Sequence, residues 1–278
     1  MPRTAKTPKP DRLAELRLEA RRVLHAALDL EAEQATPEAA YRSQELFYGA
    51  MQLSREDAVI KRCIKALRIN PNNPDPMLLL ARFVGGSPDE QIALHERIVL
   101  AGERDLGKKN IEIFKGHFWG FVETRPYMRA LHTLARLYEK AGQLPKAVQI
   151  YEQMLKLNPN DNQGVRYALL GHYLALNKLG DARKLWNRYD QEHSAFWAWG
   201  KVLLEFLAGN LEAAQEALGV ARKINPHAES YLGGWKPLPK ELPGFYSPGQ
   251  DSEAIYCFVE LGAAWVKNPH AQRWLEQH

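Results

Sequence analysis

The chain has 278 residues, of which 45% are hydrophobic and 25% charged, a balance that fits one large or two small globular domains and excludes a wholly disordered chain. Its two cysteines exclude a disulfide framework and a cysteine-rich zinc site. No apolar run reaches the ~18–20 residues that span a bilayer, and the polar, proline-rich start lacks the apolar stretch of a secretory signal. We therefore expect a cytoplasmic protein without membrane insertion.

The net charge of +4 is concentrated at the start of the chain. Residues 1–22 carry seven basic and three acidic side chains, whereas the remainder is neutral. Residues 1–10 are predicted to form a flexible basic tail. Because nucleic-acid binders usually carry a basic face on the folded domain, we do not expect nucleic acid as the main partner. A nucleic-acid adaptor that uses this basic N-terminus stays open as an alternative.

Three amphipathic runs end in the same dipeptide, which predicts three helix ends. The pairs are Asn70-Pro71, Asn158-Pro159 and Asn225-Pro226, and proline cannot continue a helical hydrogen-bond ladder. The last two prolines lie 67 residues apart. This spacing is close to twice the period of about 34 residues that is typical of tetratricopeptide repeats, in which two antiparallel helices form each unit.

The best repeat begins at Met128. Its small residues Ala135 and Ala147 allow two helices to approach closely, and Tyr138 and Tyr151 fill the gaps around them. Further hairpins are predicted over Tyr41 to Pro71, Asp75 to about Leu106, Gln163 to Ala195, and Phe196 to Pro226. The sequence therefore predicts an all-α superhelix, an α-solenoid of about five tetratricopeptide-like hairpins, over residues 11–231.

Two segments depart from the repeat pattern. Residues of about 107–124 are rich in glycine and aromatic side chains, and they are predicted to form an insertion, either a folded-back loop or a short helix packed on the repeats. Residues 232–249 contain four prolines, which predicts an extended connector. A helix that starts at Asp251 is predicted to cap the last hairpin, so residues 232–278 form a connector and a C-terminal capping helix.

Several short stretches carry a resemblance to a known family. They are Glu123 to Ala130, Asn162 to Tyr167, Asn225-Pro226-His227, Tyr231-Leu232, Lys240 with Pro243, and Asp251 to Ile255 followed by Tyr256, Phe258 and Trp265. On these stretches, residues from about 116 to 265 resemble the repeat-containing part of the suppressor of tumorigenicity seven protein family. The resemblance implies a bacterial-type relative without the membrane segments of the eukaryotic members. It further implies a scaffold or regulatory role, with no catalytic residues and no named partner.

In this fold the first helix of each repeat lines the inner groove, which predicts a binding wall. Its predicted residues are Arg125, Arg129, His132, Arg136 and Lys140 on the best repeat, and Tyr167, Phe196 and Trp199 on the next two. Arginines suit carboxylates and aromatic rings supply buried area, so the predicted guest is an acidic peptide or a C-terminal carboxylate. Two alternatives stay open: Arg125 and Arg129 pair with Glu123, and the aromatic rings belong to the core.

The sequence contains no phosphate-binding loop and no catalytic or metal-binding motif, so neither a cofactor nor a metal is expected. One catalytic alternative is an enzyme or enzyme subunit with a small polar site around the His117–Glu123 loop, where His117 could transfer protons. The preferred prediction is a non-catalytic scaffold or adaptor whose protein or peptide partner is unidentified. Because exposed repeat ends can stack on one another, a homodimer is a further open alternative.

Overall fold

A computed structural model describes residues 11–278, which contain fourteen α-helices, two short 3₁₀ turns and no β-strand. The fold is therefore all-α, as the sequence predicts. The chain forms two compact units, unit 1 up to Asn160 and unit 2 from Asp161 onwards. No helix within residues 11–278 is both long enough and apolar enough to cross a membrane. The predicted tail over residues 1–10 lies outside the described residues.

Unit 1 contains the first seven helices. They are α1 (Arg12–Asp29), α2 (Pro37–Met51), α3 (Glu56–Ile69), α4 (Pro74–Val84), α5 (Pro88–Phe114), α6 (Arg125–Lys140) and α7 (Leu144–Leu157). Three hairpins are formed by α2 with α3, α4 with α5, and α6 with α7, which confirms three of the predicted pairs. The first helices of these hairpins, α2, α4 and α6, also pack side by side.

Helix α1 lies outside the repeat pattern and packs on α4, in contact with both α3 and α5. Its buried side is a stripe of small and medium apolar residues: Leu16, Ala20, Leu24, Ala27 and Leu28. Arg17 pairs with Glu56 of α3 at 2.6 Å, and Asp29 pairs with Arg97 of α5. An amphipathic helix thus fills the space between the second helices of the first two hairpins.

The predicted insertion over residues 107–124 is partly helical. Helix α5 bends at Gly107, whose φ of 73° is in the left-handed region, and then continues to Phe114. Two 3₁₀ turns follow, Phe118–Gly120 and Val122–Thr124. Phe118 is buried and its ring centroid lies 6.4 Å from that of Tyr127 of α6. The segment therefore packs on the third hairpin.

Unit 2 contains the remaining helices. They are α8 (Val165–Ala175), α9 (Leu179–Arg188), α10 (Ala195–Leu207), α11 (Leu211–Ile224), α12 (Ala228–Leu232), α13 (Asp251–Val266) and α14 (Pro269–Glu276). Two more hairpins are formed by α8 with α9 and α10 with α11, which gives five in all for the described residues. Residues 233–250 have no helix, as predicted for the connector. The predicted C-terminal helix is α13, and the short α14 follows it.

All three Asn-Pro pairs stand where the sequence predicts helix ends, because α3, α7 and α11 each end one residue before the asparagine. The asparagines are buried. Asn70 Nδ2 donates to Asp105 Oδ1 at 2.7 Å, and Asn225 Nδ2 donates to Glu253 Oε2 at 2.9 Å. The asparagine therefore does more than end a helix, since its amide joins the hairpin end to a distant segment.

Helix α13 approaches α8 very closely. It packs on α8, α10 and α12, and therefore contacts the first helix of each hairpin of unit 2, α8 and α10. A Cβ added at Gly171 of α8 would lie 2.2 Å from the carbonyl oxygen of Glu260 of α13. Only glycine permits this spacing between the two backbones.

We predict that Gly171→Ala destabilises the protein by about 1–3 kcal/mol, because the new methyl group must push α13 away from α8. Gly219→Ala is the matched control, since Gly219 is also inside a helix but has open space around its Cβ position. There the substitution should stabilise by about 0.5–1 kcal/mol through helix propensity. Urea unfolding followed by circular dichroism measures both, and two equal changes would contradict the close approach.

Candidate functional site

Each of the three hairpins of unit 1 has a first helix, namely α2, α4 and α6. We call the stripes of side chains on one side of these three helices the first-helix face. The stripes are Tyr41, Gln44, Tyr48 and Met51 on α2; Asp75, Leu78 and Arg82 on α4; and Arg129, His132, Arg136 and Lys140 on α6. Within each stripe the spacing of three or four residues places the side chains on one side of the helix. Repeat proteins of this kind use such a face for binding.

The carboxylate of Asp75 joins the three stripes. Gln44 Nε2 donates to Asp75 Oδ2 at 2.6 Å from α2. From α6, Arg129 Nε donates to Oδ1 at 2.7 Å and Nη2 donates to Oδ2 at 2.5 Å. The Asp75 side chain is only 1% exposed, so the paired charge lies within the protein. Arg129 is therefore paired internally, with Asp75 rather than with the Glu123 partner that the sequence suggested.

The α6 stripe is the cationic part of the face. Arg136 Nη1 donates to Glu139 Oε2 at 3.0 Å, and Glu139 Oε1 accepts a hydrogen bond from the Tyr151 hydroxyl at 2.7 Å. Lys140 is exposed at the end of the helix. Burial, together with the nearby Arg136 cation, lowers the pKa of His132 to about 4. His132 is consequently neutral at neutral pH, and the positive charge of this stripe comes from its arginine and lysine members.

The α2 stripe is the apolar and aromatic part of the face. Tyr48 and Met51 are 41% and 58% exposed, which is high for large apolar side chains. Tyr48 lies close to the guanidinium of Arg129, and Tyr41 donates a hydrogen bond to Glu45 at 2.9 Å. None of these three α2 residues is among those predicted from the sequence. The available signal was their helical spacing, which places them on one side of a predicted first helix.

Arg125 holds the loop that precedes α6. Its Nε donates to the Trp119 carbonyl at 3.1 Å, and its guanidinium lies 5.3 Å from the centroid of the Trp119 ring. Arg125 therefore fixes the loop instead of pairing with Glu123. His117 and Glu123 are both exposed. Two exposed side chains do not form the enclosed, water-excluding pocket that the catalytic alternative requires.

Of the three predicted aromatic residues of unit 2, Phe196 and Trp199 are buried and Tyr167 is half-buried. Tyr167 and Phe196 stack with ring centroids 4.4 Å apart, and the Tyr167 hydroxyl donates to Glu192 at 2.9 Å. Phe196 and Trp199 are 2% and 0% exposed. The Trp199 indole donates to the Asn225 carbonyl at 3.1 Å. As placed, Phe196 and Trp199 offer no surface to a partner, in line with the alternative that the aromatic rings belong to the core.

The chain's own C-terminal segment covers this aromatic wall. Trp265 of α13 lies edge-on to Trp199, with centroids 6.4 Å apart, and Tyr246 of the connector meets Phe196 in the same way at 5.7 Å. Two of the predicted wall residues, Phe196 and Trp199, are thus covered by side chains from residues 246–265 of the same chain.

A buried carboxylate anchors the covering segment. Glu253 Oε1 accepts a hydrogen bond from the backbone nitrogen of Ala195, in the first turn of α10, at 3.1 Å. Its Oε2 accepts from Asn225 Nδ2 at 2.9 Å and from the backbone nitrogen of Gly249 at 2.7 Å. Because the first amides of a helix lack intrahelical acceptors, Glu253 satisfies one that would otherwise be left unpaired. The segment is therefore fixed by polar contacts as well as by apolar burial.

The basic residues of α1 lie among matching acidic ones. Arg17 pairs with Glu56, while Glu19 of α1 pairs with Arg68 at 3.0 Å. This surface is of mixed charge rather than uniformly basic, which does not favour the nucleic-acid alternative for the described part of the N-terminus. Within residues 11–278, no group of three or more histidine, cysteine, aspartate or glutamate side chains is placed to hold a metal ion.

Residues 128–161 match the model of the tetratricopeptide repeat family. The matched segment contains most of α6 and the whole of α7, so it is the hairpin that the sequence identifies as the best repeat. The chain therefore contains a tetratricopeptide repeat, a unit that suggests a role in protein–protein interaction. A comparison with curated proteins finds no match.

We predict that Arg129→Met destabilises the protein by about 3–5 kcal/mol, because it leaves the buried carboxylate of Asp75 without its cation. The double variant Asp75→Asn/Arg129→Met should be clearly more stable than Arg129→Met alone, since an amide can still accept a hydrogen bond from Gln44. Chemical denaturation of the variants and the parent measures these differences. Equal stability of the single and double variants would show that the pair contributes little.

We predict that the free energy of unfolding depends on pH because of His132. The pKa of its folded form, about 4, lies below the ordinary 6.5, so the unfolded chain binds the proton first as the pH falls. The stability contributed by the neutral ring is complete above pH 6.5 and is lost as the pH falls towards 4, by up to about 3 kcal/mol. The loss should be absent in His132→Gln, and the parent-minus-variant difference in unfolding free energy at several pH values tests it.

Proposed function

We propose that the protein is a non-catalytic interaction scaffold that holds an extended, acidic segment of a protein partner on the first-helix face of unit 1. The observation that carries this proposal is the exposed apolar stripe of α2, with Tyr48 and Met51, on the same layer of helices as the cationic stripe of α6. The tetratricopeptide repeat match at residues 128–161 supports a protein partner.

The two stripes have different tasks in this proposal. Tyr48 and Met51 supply apolar area that a bound segment would remove from water, and such aromatic anchors carry much of the energy of an interface. Arg82 and Lys140, which are both exposed, orient the carboxylates of the segment. Arg136 is held by Glu139. Arg129 acts indirectly, because its guanidinium is held by Asp75 and aligns the helices.

Unit 2 supports this mode of binding with an example from the same chain. There, the first helices hold a covering segment through two aromatic contacts, Trp265 on Trp199 and Tyr246 on Phe196. One buried carboxylate, Glu253, completes the attachment. A partner segment on unit 1 would use the same combination of apolar anchors and carboxylate contacts.

Several finer predictions accompany this proposal and await their own tests. They are a cytoplasmic location, a bacterial-type source, a homodimer as an alternative assembly, and the relationship of residues 116–265 to the suppressor of tumorigenicity seven family. That relationship would imply the same kind of scaffold role.

The test is affinity capture from lysate of the source organism, read by mass spectrometry, with the parent and matched variants as bait. An apolar variant, Tyr48→Ala/Met51→Ala, and a charge variant, Arg82→Glu/Lys140→Glu, both alter exposed positions of the face. We expect both to lose partners that the parent retains, since removal of two anchors weakens an interface by about tenfold or more.

The control is Lys109→Glu/Lys156→Glu, which makes the same charge change at exposed positions on α5 and α7, outside the face. It should retain the parent's partners, and the helical circular dichroism of every bait must match. An identical partner set from all baits would contradict the assignment of the face. Loss of partners from the control as well would indicate unspecific charge attraction instead.

A further inference from the structure

In unit 1 the space between the second helices of two successive hairpins is filled by α1. The second helices of its first two hairpins are α3 and α5, and α1 lies against both while it packs on α4. α1 is an amphipathic helix whose buried stripe contains only leucine and alanine. The same helix carries four exposed arginines, at positions 12, 17, 21 and 22, and three acidic residues, Glu15, Glu19 and Asp29.

Unit 2 has an open cleft at the corresponding place in its own hairpins. The cleft has a volume of about 490 Å³, and its walls are α9 and α11, the second helices, with α10 at the base. Its principal lining residues come from all three helices. They are Trp186 of α9 and Asp190 just after it, Trp197 and Lys201 of α10, and Ala217 and Val220 of α11.

The walls of the cleft suit the apolar side of a helix. Trp197 is buried at the base, and Trp186 forms part of one wall. On α11, Ala213 and Ala217 are small enough for another helix to approach closely. Val220 is 54% exposed beside them, an apolar side chain without a cover.

The rim of the cleft is acidic. Asp190 and Glu216 both line it and both are exposed. The rim cation Lys201 is already engaged, because its ammonium group lies 2.7 Å from Glu205 and 4.0 Å from the centroid of the Trp186 ring. A basic occupant therefore meets carboxylates at the edge of an apolar cleft.

We propose that this cleft is a second interface, a docking site for an amphipathic helix of a protein partner that presents a leucine and alanine stripe flanked by arginines. The corresponding space in unit 1 holds a helix with such a stripe, and the acidic rim of the cleft complements arginines like those that this helix carries. Two helical walls on a helical base form the groove that helix-in-groove recognition uses. This inference does not depend on the first-helix face.

The experiment uses a synthetic peptide with the sequence of residues 12–29, dye-labelled, titrated with the full chain and followed by fluorescence anisotropy. The chain's own α1 is tethered, so its high effective concentration prevents the peptide from displacing it. We expect saturable binding that is weakened about tenfold or more by Val220→Asp and by Ala217→Arg. A peptide in which Leu24 is replaced by Asp should bind at least tenfold more weakly as well, because its apolar stripe is interrupted.

Leu211→Asp is the matched control for Val220→Asp. Leu211 lies on the same helix with the same exposed fraction, 54%, but does not line the cleft, so this variant should bind as the parent does. Asp190→Lys/Glu216→Lys should weaken binding more at low salt than at high salt. The proposal is overturned if the peptide does not bind at millimolar concentration, or if Val220→Asp and Leu211→Asp have the same effect in proteins of unchanged thermal midpoint.

Discussion

The arrangement of the first-helix face depends on one buried carboxylate. Asp75 is almost fully removed from water, which costs several kcal/mol unless a partner compensates the charge. Gln44 and Arg129 supply that compensation from the two neighbouring helices, and the bidentate arginine contact also fixes their alignment. Such a pair adds little net stability over an apolar replacement. Its contacts connect α4 to both α2 and α6, the helices that carry the apolar and the cationic stripe.

The two units are built from the same kind of hairpin, but each unit covers a different side of its hairpins. In unit 1, α1 fills the space between second helices, while Tyr48 and Met51 on the first-helix side are exposed as far as residues 11–278 show. In unit 2 the first-helix side is covered by α13, while the space between second helices is open. One repeat architecture thus leaves a different side of its hairpins uncovered in each unit, depending on which side the chain covers with its own helices. These are the surfaces on which we propose an extended acidic segment and an amphipathic helix to bind.

Features that depend on neighbouring residues, such as helix ends, can be predicted from the sequence. Contacts between residues that lie far apart in the chain cannot. Helix ends at Asn-Pro and the five hairpins follow from neighbouring residues, and the structure confirms them. The partner of Arg129 lies 54 residues away, and at sequence level Asp75 is only an acidic residue in the first turn of a helix. Trp199 stands where the repeat pattern requires a wall residue, but no local signal shows that Trp265 would cover it.

The packing of α13 on α8 affects the order in which unit 2 folds. α8 and α13 are separated by more than seventy residues, yet they form one of the closest helix contacts in unit 2. Contacts between distant parts of a chain form late, because the loop between them must close first. During synthesis, α8 and α10 therefore leave the ribosome with Trp199 uncovered, and unit 2 is completed only after residue 266 has emerged. Until then its uncovered aromatic side chains are apolar surface that can aggregate or bind chaperones.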